Sequence, residues 1–71
     1  MDTEQAFKQS KRAFEEYRKN ISRAKDSIAE SRTERVHGRK GSAAYNLDMA
    51  AYWRRQVVYW RNTYIGYLAK I

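Results

Sequence analysis

The sequence predicts an all-α fold: an antiparallel two-helix hairpin that dimerises into a four-helix-bundle-like or larger helical assembly. Three observations carry this expectation. Two long stretches repeat their apolar residues with a 3.5-residue period, the 71 residues include no proline, and the one strong break is a short glycine-bearing segment. A chain this short has room for a single domain spanning 1–71.

The first helix is predicted at about residues 3–36. Phe7, Phe14, Ile21 and Ile28 recur every seven residues, with Tyr17 and Ala24 between them, Ala6 and Ala13 widening the stripe, and Ser10 and Ser31 diluting its ends. Charged residues fill the other positions. Asp2 suits the N-cap, with Gln5 three residues later. The segment His37-Gly38-Arg39-Lys40-Gly41-Ser42 then breaks the pattern: Gly38 suits the left-handed closing position and Ser42 the next N-cap, giving a basic turn at 37–42. So short a connection makes its flanking helices antiparallel neighbours.

The second helix is predicted at about 43–71. One seam reads Ala43, Asn46, Ala50, Trp53, Val57, Trp60, Tyr64, Tyr67, Ile71. A second stripe carries Tyr45, Tyr52, Tyr59, Val58 and Ile65. Arg54, Arg55 and Arg61 are placed to fold over neighbouring rings as cation–π lids. With the turn centred near residues 39 and 40, Ala24 faces Trp53, Ile21 faces Val57 and Val58, and Phe14 meets Tyr64 and Ile65. The first helix can cover only one of the two apolar faces, and a chain this small lacks disulfides or metals to reinforce its core. The second stripe is therefore expected to be an oligomer or partner interface.

Composition excludes much chemistry. There is no cysteine and one histidine, so no disulfide, thiolate nucleophile or metal constellation is expected. His37 at a helix C-terminus complements the dipole. The Gly38–Ser42 run lacks the spacing and preceding strand of a phosphate loop. No catalytic residue and no cofactor are expected, and the chain reads as a non-enzyme. The first thirty residues are too charged for a secretory signal, and no apolar run reaches the roughly 18 residues of a membrane span. The expected location is intracellular, in the cytoplasm or within a nucleoprotein particle.

Charge points to the partner. Fifteen Lys and Arg against eight Asp and Glu give +7. Arg32, Arg35, Arg39 and Lys40 gather at the hairpin tip, and Lys11, Arg18, Lys25 and Arg32 form a row at seven-residue spacing along the first helix. Such a distribution suits the phosphates of DNA or RNA, with no motif to choose between them. The alternative is a protein–protein module: an adaptor or inhibitor docking the aromatic face of the second helix on a larger protein, or a subunit of a shell or filament. Membrane-surface binding is not expected, because the second helix lacks one continuous cationic face opposite one apolar face.

Overall fold

The computed structural model describes residues 2–71. Two α-helices, α1 (Thr3–Val36) and α2 (Lys40–Leu68), pack along each other in opposite directions. The hairpin measures 53 × 13 × 10 Å along its principal axes, and its radius of gyration is 16.0 Å. A compact chain of this length would have about 11 Å. Each helix therefore meets protein on one side and solvent on the others.

The start of α1 follows from its cap. Asp2 Oδ1 accepts the Gln5 backbone N–H at 2.8 Å, satisfying one of the donors left open in the first turn. Its end follows from Gly38, whose φ of +76° is easy only for glycine. The Gly38 N–H donates to the Arg35 carbonyl at 3.0 Å and the Arg39 N–H to the Glu34 carbonyl at 2.8 Å, which together form a Schellman closure. This closure turns the chain faster than the sequence suggests. The connection is only 37–39, not 37–42; α2 begins at Lys40, not 43, with Arg39 at the cap position and Ser42 inside the helix. At the far end α2 stops at Leu68, not 71, and the chain tightens into i→i+3 bonds from Lys70 and Ile71 to Tyr67 and Leu68.

Small and polar side chains make up the α1 half of the seam. Ala6, Ser10, Ala13, Asn20, Ala24, Ser31 and Glu34 are the buried residues of α1, and Ala43 and Ala50 those of α2. The residues expected to widen or dilute the stripe are thus its centre, and Phe7, Phe14, Ile21 and Ile28 lie beside it. Phe7 is 53% exposed and Phe14 40%, while Ile21 and Ile28 are half-buried. The physical reason is volume. Helix axes can approach closely only where at least one side contributes small residues, and here α2 supplies the large ones. Trp53, Trp60, Tyr64 and Tyr67 are all half-buried along the seam.

Polar groups inside the seam are satisfied. The Asn20 amide donates to the Glu16 carbonyl at 2.8 Å, and the Ser31 hydroxyl reaches across to the Ala43 carbonyl at 2.8 Å. Among the described residues no buried side-chain polar atom lacks a partner. The expected facing pairs are met in part. The Phe14 and Tyr64 rings are 5.3 Å apart, and Ile21 lines a groove with Val57 and Val58. Ile65 is 55% exposed, on the rim. The cation over Trp53 comes from α1: the Arg23 guanidinium sits 4.9 Å from the ring.

These features set stability. Ala13→Leu should lower the unfolding free energy by about 1–3 kcal/mol through overpacking, and more than Phe7→Ala does, as measured by urea denaturation. Gly38→Ala should cost about 1–2 kcal/mol for its left-handed backbone. Gly66→Ala, with open space around the added methyl, should instead stabilise α2 by about 0.5–1 kcal/mol.

A pH dependence follows from Glu34, buried at the seam's end and paired with Arg39. The hydrogen bond from Arg39 holds this carboxyl below the ordinary range, against the opposing effect of burial. A depressed carboxyl stabilises the fold above its unfolded value, about 4.3, and the benefit vanishes as pH falls through the lower folded value. Melting temperatures of wild type and Glu34→Gln should therefore differ at pH 7 and converge in acid.

Candidate nucleic-acid interface

Two antiparallel helices leave two open sides, and the heptad period fixes what each one carries. On one side, Phe7, Ser10, Lys11, Phe14, Ile21, Ala24, Lys25 and Ile28 of α1 line shallow apolar grooves with Arg54, Val57, Val58, Tyr64, Leu68 and the terminal Ile71. On the other, Gln9, Arg12 and Ala13 meet Tyr59, Trp60, Thr63 and Tyr67. We call the first the basic face.

The reason is its charge. Lys11, Arg18, Lys25 and Arg32 share one heptad position on the solvent side of the Phe7–Ile28 line, spaced about 10.5 Å apart at 1.5 Å per residue. Arg35 continues the Phe7–Phe14–Ile21–Ile28 line itself toward the turn. Across the groove, Lys40, Arg54 and Arg61 share one heptad position of α2 with Leu47 and Leu68. The one acid that shares these positions is Glu4, in the first turn of α1. Glu16, Asp26 and Glu30 fall toward the opposite face, and Glu15 lies on the outer side of α1 beside Arg18, Lys19 and Ser22.

Among the described residues, Lys8 pairs with Glu4 at 3.5 Å, Lys19 with Glu16 at 3.8 Å, and Arg39 with Glu34. None of the basic-face cations is in an ion pair. Two of them fold over exposed rings instead: Lys11 Nζ lies 5.2 Å from the Phe7 centroid, and the Arg18 guanidinium 6.0 Å from that of Phe14.

Of the residues expected to meet phosphate, Lys11, Arg18, Lys25, Arg32, Arg35 and Lys40 are brought to this one face. Arg39 is not. Its guanidinium forks onto both Glu34 carboxylate oxygens, with Nη2 to Oε1 at 3.2 Å, and the carboxylate raises its already high pKa. Arg54 and Arg61, expected from the sequence as lids over rings, belong to this face by their heptad position. Their heptad position, shared with Lys40, was the available signal.

The second stripe of α2 divides around its outer side. Tyr45, Tyr52 and Tyr59 lie toward the opposite face and Val58 and Ile65 toward the basic face, and all five are exposed. Tyr52 and Tyr59 each stack edge-on against the tryptophan that follows, at 4.9 and 5.1 Å.

Among the described residues there is no cluster of three or more side chains placed to hold a metal ion, and no helix is long and apolar enough to cross a membrane. Compared with models of known families, with curated proteins and with solved structures, the chain matches none.

Proposed function

We propose that this protein binds nucleic acid through phosphate contacts on the basic face, as a non-enzymatic, self-associating helical protein. The observation that carries the reading is charge segregation. Lys11, Arg18, Lys25, Arg32, Arg35, Lys40, Arg54 and Arg61 gather on one face whose heptad positions hold no acid beyond the first turn of α1, where Glu4 pairs with Lys8. A row of like charges along about 30 Å costs self-repulsion unless a polyanion neutralises it. The exposed Phe7 and Phe14 rings beside the row favour single strands, whose bases can lie on aromatic side chains while the backbone follows the cations.

A second reading rests on the apolar floor of the same groove. Phe7, Phe14, Ile21 and Ile28 opposite Val57, Tyr64 and Leu68 would also accept an amphipathic helix with acidic flanks. Nuclease treatment during recovery from the host separates the two, since only a protein partner survives it.

Two measurements test the main reading. For a single strand, log Kd should vary linearly with log salt at about 0.7 per phosphate contact, and Lys25→Gln with Arg32→Gln should reduce that slope by about 1.4. Lys8→Gln with Lys19→Gln removes the same net charge from paired, outward positions and should leave the slope near wild type. Equal losses from the two pairs would reduce the claim to diffuse polycation attraction. Separately, Phe7→Ala or Phe14→Ala should weaken single-strand binding by about 1–3 kcal/mol and change duplex binding far less.

A further inference from the structure

The outer side of α2, turned away from α1, has a pattern that the nucleic-acid reading does not use. Between Ala44 and Tyr59 it carries two charges, Asp48 and Arg55, in an otherwise apolar surface. Asp48 is the only acid of α2 and has no cation within four residues of it. It makes no ion pair among those found in the described residues. Along the same side stand Tyr45, Tyr52 and Tyr59, exposed at 63%, 43% and 57%, an unusual cost for a free surface.

Reversing the direction of the helix maps this surface onto its own complement. About a point between Ala51 and Tyr52, Asp48 exchanges with Arg55, Ala44 with Tyr59, Tyr45 with Val58, and Ala51 with Tyr52. Acid falls on base, and each alanine falls on a tyrosine. This is what an isologous contact requires, and the small-against-large pairing repeats the rule that closes α1 on α2.

We propose that a second copy of this chain packs on the outer side of α2, antiparallel, about a two-fold axis passing between Ala51 and Tyr52. The order of the helices is then α1, α2, α2 of the second copy, α1 of the second copy. Charge excludes the parallel arrangement, which sets Asp48 beside Asp48 and Arg55 beside Arg55. An unrelated partner would have to repeat the same acid and base in reverse order at the same spacing.

The operator has a consequence for the basic face. A two-fold axis between antiparallel helices stands normal to the layer, so both basic faces emerge on the same side. A parallel pair would put them on opposite sides. Two cationic rows on one surface double the track offered to a polyanion. This last step rests on the proposed function; the interface itself does not.

Sedimentation equilibrium of the full chain tests the interface, with helicity followed by circular dichroism. Wild type should be a dimer. Asp48→Arg alone and Arg55→Asp alone should each be monomeric, because each sets like charges against each other. An equimolar mixture of the two should recover the dimer, as should the double exchange within one chain. Recovery on mixing also shows that the single variants are folded. A single cysteine at Tyr45→Cys should cross-link to Val58→Cys and not to itself. A monomeric wild type, single variants that dimerise as wild type does, or a Tyr45→Cys chain that cross-links to itself would each overturn the proposal. A dimer that binds no nucleic acid would overturn the proposed function while supporting the interface, so the two failures are distinguishable.

Discussion

Close approach of α1 and α2 across a line of alanine, serine and asparagine is the constraint on which the rest of the structure depends. Ala6, Ser10, Ala13, Asn20, Ala24 and Ser31 leave no bulk between the helices on the α1 side. The large residues of α2 then fill the seam, and those of α1 are displaced to its flank. Had Phe7, Phe14, Ile21 and Ile28 occupied the centre, the helices would stand farther apart, and their apolar surface would be largely spent inside the hairpin. The exposed line beside the basic row is a result of how the hairpin closes.

Heptad spacing then converts a modest excess of charge into a directional one. A net charge of +7 spread evenly over an elongated hairpin would be a weak field. Because Lys11, Arg18, Lys25 and Arg32 keep one position while Glu16 and Glu30 keep another, one side beyond the Glu4 turn holds cations without acids at those positions. The turn contributes differently. Arg39 is bound to Glu34 and helps close the loop, at the place where a Schellman motif commonly has an apolar contact. Its charge is engaged by Glu34 within the turn.

The fold class was legible because the signals were redundant: a seven-residue period, an Asp2 cap, and Gly38 where a left-handed residue was required. The identity of the seam was harder to read. Hydrophobicity ranks Phe and Ile above Ala and Ser, so the bulkiest stripe looked like the core, whereas close helix packing selects for small volume. Ser42 is the stronger cap signal in the sequence, yet α2 starts at Lys40, because nothing local shows that Arg39 can end one helix and open the next. The basic row was legible from spacing alone. Its relation to Arg54 and Arg61 needed the second helix set beside the first, since only the pairing of the helices decides which heptad positions share a side.

The three-residue turn also orders the hairpin in time. Contacts near it, such as Ser31 with Ala43, join residues close in sequence and need little chain entropy to form. Phe14 and Tyr64 come from near the two ends and can meet only after the turn has propagated. Closure is therefore expected to run from Gly38 outward, and thermal opening back from the free ends. In that order Phe7, Phe14 and Leu68 belong to the stretch expected to open first, and the cations beside the turn to the stretch expected to open last.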